Sequence, residues 1–225
     1  MSAFAADGRF GETPPKPGRP GFPGGGARLF VAVDVGDAVR AEAARVIQAI
    51  SDRIAVVKTP PKVTWVKPAT LHVTLRVIGE VDDAAVPHWC ERLAPAIGLA
   101  PFELEWRGLG AFPSASQPRA LWLGVVAGAA PLGALEAEVT RRLVGTVDAE
   151  PRPWLPHLTL GRIKMAGAGA DWPNILQAIE VRGARSADDR VTLYRRELSQ
   201  RGPHYTELVS APLTATTESP RTKNT

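Results

Sequence analysis

The chain reads as an α+β protein built from two related lobes, and three observations carry that reading. Apolar periodicities run β, α, β, β, α, β, β, α, β, α, β, β. Hairpins and short strands outnumber βαβ units, which predicts mostly antiparallel sheets with helices packed on their outer faces. A four-residue word occurs twice: His72-Val-Thr-Leu75 and His157-Leu-Thr-Leu160 account for two of the four histidines. By ordinary usage a given His is followed by Thr at +2 and Leu at +3 in roughly one case in two hundred. Each copy sits among its own predicted strands and helices, so each marks a lobe.

The elements follow in order. Arg28-Leu-Phe-Val-Ala-Val-Asp34 is a buried-strand run. A helix follows with Asp37 as expected N-cap and Val39, Ala43, Val46, Ile47, Ile50 and Ile54 as its apolar stripe. Residues 57–61 are loop, and Val63–Val66 is a short strand leading into the first motif strand, which is expected to stop at Gly79. Asp82 and Asp83 start a second helix with Pro87 in its first turn and Trp89, Cys90 and Leu93 inward. Phe102–Arg107 alternates as a half-buried strand, 113–118 is a Pro/Ser loop, and Arg119–Val126 is a strand. Pro131 fits the first position of a third helix, whose face is Leu132, Leu135, Val139 and Leu143. A polar loop over 145–153 leads to the second motif strand, which runs to about Lys164, and a short helix is expected over 174–180. Arg190–Leu198 and His204–Ser210 close the fold as a hairpin. Residues 1–27 hold seven Gly and five Pro and read as a disordered tail, 28–211 as one bilobal domain, and 212–225 as a flexible C-terminal tail.

Composition narrows the function classes. The 225 residues are 44% hydrophobic, as in globular proteins. Cys90 is the one cysteine, so no disulfide forms within the chain, which fits a reducing cytoplasm. No apolar run reaches membrane-span length and no secretory signal is visible. A net charge of +4 suits an anionic partner such as RNA, and equally an ordinary solvated surface.

Within the motif, residues i and i+2 of a strand share a face. His72 with Thr74, and His157 with Thr159, therefore offer an imidazole beside a hydroxyl, while Val73, Leu75, Leu158 and Leu160 point into a core. Two histidines are too few to ligate zinc, and no i+4 His or neighbouring Cys, Asp or Glu completes a set, so no metal or other cofactor is expected. Gly-x-Ser-x-Gly is absent and Cys90 lies on a core helix, which sets aside an activated nucleophile. General acid–base work fits: one neutral imidazole takes a proton from water, one imidazolium gives a proton to a leaving oxygen, and the hydroxyls hold phosphate oxygens. A cyclic phosphodiester suits this machinery. The residues alone leave open which histidine is acid and which is base.

The paired His-x-Thr-Leu motifs resemble those of the 2H phosphoesterases, and more closely the RNA 2′,3′-cyclic phosphodiesterase branch, historically the bacterial 2′–5′ RNA ligases. The likeness spans about residues 28–211. It includes Arg28–Val33, Trp65–Glu80, Phe112-Pro113, Pro118–Gly124, Pro156–Arg162, Leu193-Tyr194, Glu197–Ser199 and Gly202–Tyr205. It implies a bilobal α+β fold with a central cleft, and metal-free hydrolysis of RNA 2′,3′-cyclic phosphate ends to 2′-phosphomonoesters, with reverse 2′–5′ ligation open. It further implies that His72 donates the proton to the leaving 3′ oxygen, that His157 activates water, and that Thr74 and Thr159 bind phosphate. The expected partner is RNA ending in a cyclic phosphate, as tRNA-like fragments or short oligonucleotides, met by a cytoplasmic monomer. Another cyclic or 2′–5′ phosphodiester, such as ADP-ribose cyclic phosphate, or RNA-end binding without turnover, are the alternatives. The sequence departs from the family in its tail, in Trp154 for a commoner Phe, and in Arg196 where many members have Ser.

Arg119, Arg162, Trp154, Tyr205 and Arg196 are further candidate substrate contacts. Strict alternation turns Arg162 away from His157 unless Gly161 breaks the pattern. His204 and Tyr205 fit a cleft wall or a surface turn, His88 a helix surface, and Trp65, Trp89, Trp106 and Trp122 the core.

Overall fold

The computed structural model describes residues 26–143, 154–199 and 202–215. Apart from residues 26 and 27, the expected N-terminal tail lies outside them, as does the loop 145–153. The elements are β1 (Gly26–Asp34), α1 (Asp37–Ala55), β2 (Lys62–Trp65), β3 (His72–Asp82), α2 (Val86–Leu93), β4 (Phe102–Phe112), β5 (Ala120–Ala127), α3 (Ala129–Leu143), β6 (His157–Met165), α4 (Trp172–Gln177), β7 (Ala184–Asp188), β8 (Arg190–Ser199) and β9 (Gly202–Pro212).

They form two antiparallel sheets, β3-β1-β8-β9 and β2-β6-β5-β4-β7. The two motif strands fall in different sheets, one to each lobe. The helices do not stay with their own lobes. α1 leaves the first sheet and packs on β6, β7 and α4 of the second, where Arg53 donates to the Ala178 carbonyl (3.0 Å) and Glu42 accepts the Arg182 N–H (2.7 Å). α3 leaves the second sheet and packs with α2 against β3 of the first, with Arg142 donating to the Ala96 carbonyl (2.8 Å). Each motif is thus backed by a helix from the other half of the chain, which corrects the picture of two self-contained lobes. One continuous apolar core joins them.

Local chemistry accounts for the differences from expectation. Gly36, not Asp37, caps α1: its carbonyl accepts the Val39 and Arg40 N–H groups, and Asp37 sits in the first turn, where a carboxylate favours the helix dipole. β3 continues past Gly79, which adopts φ 97°. Asp82 caps a short 3₁₀ turn, accepting the Ala84 N–H (2.9 Å), before α2 begins. Pro131 is the third residue of α3, not the first. β7 has no sequence signature. It turns Ser186 and Asp188 inward, where the Trp106 indole N–H donates to Ser186 (3.1 Å) and Ser186 to Asp188 (3.2 Å). Order also runs past residue 211. Leu213 is buried and its N–H donates to the Asp189 carbonyl (2.7 Å), because an apolar side chain there completes the core.

Candidate active site

Both motif strands bury their residues in the same sequence. His72 and Thr74 are half-buried and Val73 and Leu75 buried; His157 and Thr159 are half-buried and Leu158 and Leu160 buried. The likeness extends one step further than alternation allows. Thr74 pairs with Ala32 but Arg76 with Val31, so Leu75 is an extra residue on β3; Thr159 pairs with Trp122 but Gly161 with Leu121, so Leu160 is an extra residue on β6. A bulge therefore follows each threonine, and two consecutive residues turn inward, Leu75-Arg76 and Leu160-Gly161. Gly161 is required there, since a Cβ would lie 2.6 Å from the Trp65 ring. The bulges bring the next residues, Val77 and Arg162, back to the motif face, where both line the cavity that holds His72 and Thr74. Arg162 thus reaches the site through the break at Gly161.

The histidines are anchored alike. Nδ1 of His72 lies 2.8 Å from the Thr70 carbonyl and Nδ1 of His157 lies 2.8 Å from the Leu155 carbonyl. A carbonyl only accepts, so each Nδ1 carries the proton and each Nε2 is left for chemistry. An aromatic ring braces each imidazole: Phe30 at 4.9 Å and Tyr205 edge-on at 5.2 Å for His72, Phe112 edge-on at 5.0 Å for His157. Neither threonine hydroxyl has a hydrogen-bond partner among the described residues, so both are open to a ligand. The Trp154 indole N–H donates to the Thr74 carbonyl (3.1 Å), tying the approach to the second motif onto the first. That fixes Trp154 as a brace between lobes.

The charges around the two rings differ. Burial pulls both histidines below the ordinary imidazole range. His72 is pulled partly back up by its Thr70 bond and by Asp34, its cross-strand neighbour, with Arg40 opposing. His157 gains from its Leu155 bond, but Arg162 pushes it further down. Asp34 accepts from the Tyr194 hydroxyl (2.7 Å), and burial together with that bond holds the phenol well above its usual range, so it stays a donor.

Of the remaining candidates, Arg196 and Tyr205 line the His72 cavity together with Arg28. Arg119 does not reach it and lines a neighbouring groove. Tyr205 and His204 lie on β9, not in a turn, and His88 is exposed on α2. Trp89 and Trp106 are core, but Trp65 and Trp122 are half-buried. Trp122 lies opposite Thr159 and its ring covers Gly110, where a Cβ would come within 2.2 Å, so it belongs to the motif face. Sequence reasoning missed Asp34, Phe30 and Arg28 as site residues. Arg28 and Asp34 flank an apolar run and Phe30 lies within it; only the fold pairs Asp34 with His72 and brings Arg28 and Phe30 to the cavity that His72 lines.

Each motif strand thus carries an imidazole with its Nε2 left open beside an unpaired hydroxyl, and Arg28, Arg162 and Arg196 line the cavity at the first of them, the groups that acid–base chemistry on a phosphoester requires. The protein family described as LigT-like phosphoesterase matches residues 38–122. The RNA 2′,3′-cyclic phosphodiesterase of Methanothermobacter thermautotrophicus is 31% identical over 185 residues, covering 80% of this chain and 96% of that protein. Its counterpart in Thermotoga maritima is 29% identical, covering 79% and 91%. The crystal structure of TT0787 from Thermus thermophilus superposes with a TM-score of 0.61 at 27% identity, over 84% of this chain and 99% of that one. The chain belongs to the LigT-like phosphoesterase family.

Proposed function

We propose that the protein hydrolyses RNA 2′,3′-cyclic phosphate ends to 2′-phosphomonoesters, with His72 as proton donor and His157 as proton acceptor. One observation carries the reading: two imidazoles held by the same Nδ1–H bond differ in their charged neighbours, with Asp34 acting more strongly than Arg40 at His72 and Arg162 alone at His157. Asp34 favours the imidazolium at His72, as an acid requires, and Arg162 favours the neutral ring at His157, as a base requires. Nε2 of His157 takes a proton from water as its oxygen attacks phosphorus. Nε2–H of His72 passes its proton to the departing 3′ oxygen, and the phosphate remains on the 2′ oxygen. The histidines finish in exchanged protonation states and reset with solvent. Thr74 and Thr159 donate to the non-bridging oxygens, and Arg162 offsets the charge gathering there. Tyr205, Arg196 and Arg28 border the nucleotide.

Both half-sites come from one chain, so the active unit is a monomer. Its substrates are short RNAs or tRNA-like fragments with cyclic ends. The lone Cys90 fits a reducing cytoplasm. Among the described residues no helix is long and apolar enough to cross a membrane. The test is incubation of an RNA ending in a 2′,3′-cyclic phosphate and identification of the product. A 2′-phosphate is expected; a 3′-phosphate product would reverse the choice of leaving oxygen, and binding without turnover would refute catalysis.

A further inference from the structure

Beside the site lies a larger groove that the chemistry above does not use. It has a volume of about 740 Å³ and runs from Phe112, the ring braced against His157, to the buried Trp172. Its cations are Arg119, Arg162 and Lys164, and among the described residues no Asp or Glu lines it. All three cations are exposed. Arg162 and Lys164 are two apart on β6, so they share a face and repeat at about 6.8 Å along the strand. On the neighbouring strand, Ala120 pairs with Arg162 and the Arg119 carbonyl accepts the Ile163 N–H (2.9 Å), which places Arg119 alongside them. Neither Arg162 nor Lys164 has a hydrogen-bond or ion-pair partner among the described residues. Arg162 lines both this groove and the cavity containing His72 and Thr74, so its side chain borders both.

The reaction proposed above places the cyclic phosphate at the smaller cavity, about 190 Å³. Nothing in that reaction needs a second, acid-free basic groove joined to it. A chain of phosphates leaving the site does. We propose that this groove binds the RNA strand preceding the reacting end, through its backbone phosphates, and so makes the enzyme selective for oligonucleotides over mononucleoside cyclic phosphates. The inference rests on the reaction proposed above. Arg162 meets the strand at the mouth of the site, and Lys164 and Arg119 meet phosphates further along. Ser116 and Gln117 supply hydroxyl and amide groups on the same wall. Backbone contacts carry no base code, so the groove confers length dependence without sequence preference.

The experiment compares kcat/KM for a tetranucleotide ending in a 2′,3′-cyclic phosphate with that for cytidine 2′,3′-cyclic monophosphate, in the unaltered protein, in Lys164→Glu and, separately, in Arg119→Glu. The expected result is a loss of about tenfold on the tetranucleotide in each variant, through KM, with the mononucleotide rate unchanged. The slope of log(kcat/KM) against log salt on the tetranucleotide flattens by about 0.7 for each phosphate contact removed. An oligonucleotide-to-mononucleotide ratio unmoved by either variant, or a matching fall on both substrates, overturns the groove. If the unaltered protein hydrolyses neither substrate, the reaction itself fails, and that outcome is separate from the first.

Discussion

The two half-sites share a backbone and differ in charge. β3 and β6 present His, then Thr, then a bulge at Leu, then a residue returned to the motif face, and each histidine is anchored through Nδ1 to the carbonyl two residues before it. At the returned position one strand has Val77 and the other Arg162. Opposite one histidine stands Asp34; near the other is the guanidinium of Arg162. A near-symmetric scaffold thus carries different charges at the edges of the repeat, which is what the proposed division into acid and base rests on. Burial lowers both imidazoles, and Asp34 opposes that at His72 while Arg162 adds to it at His157.

Removing each histidine probes that division most strongly. His72→Ala and His157→Ala each lower kcat/KM by about 10³-fold. They part on a phosphodiester with a p-nitrophenol leaving group, which departs without a proton: His72→Ala recovers much of its loss and His157→Ala does not. The opposite recovery would exchange the roles.

Next in size is Arg162→Met, which lowers kcat/KM about 100-fold by removing a charged hydrogen-bond donor from the phosphate. Without the guanidinium the His157 pKa rises, so more of the base is protonated at low pH. The loss is therefore greatest on the acidic side of the profile, and an equal loss at every pH would show that Arg162 binds without tuning the base.

Asp34→Asn has a smaller effect of a different shape. Loss of the carboxylate lets the His72 pKa fall further, so the acid is deprotonated sooner as pH rises. A decline of about fivefold is expected along the alkaline limb, with the acidic limb unchanged. If the acidic limb moved and the alkaline limb did not, His72 would be the base.

Trp154→Phe is the mildest change, because it removes one hydrogen bond between the halves. It should cost about 1 kcal/mol of stability, read as a fall of a few degrees in Tm, with kcat nearly unaltered. A large fall in kcat would mean that the indole touches the substrate.

The repeated word made the essential chemistry legible. Period-two alternation in a β-branched context is local, so His72, Thr74, His157 and Thr159 were assigned to one face each from the chain alone, and the structure places them there. The apolar stripes of α1 and α3 were equally readable, since helix periodicity needs no partner. β7 was not, because Ser186 and Asp188 face inward on hydrogen bonds that exist only after Trp106 arrives from β4. Nor was the ring of Trp122 on the motif face, which depends on the glycine of a neighbouring strand.

By itself the sequence determined the α+β class, the two motif strands and the four polar groups on their motif faces, because each follows from residue type and spacing along one segment. Tertiary structure decided the rest. The bulges that return Arg162 to the motif face, the pairing that sets Asp34 against His72, the crossing of α1 and α3 between lobes and the placing of Arg162 between the basic groove and the His72 cavity all depend on strand register and packing between distant segments. Register is fixed by which partner strand lies alongside, and no single segment carries that information.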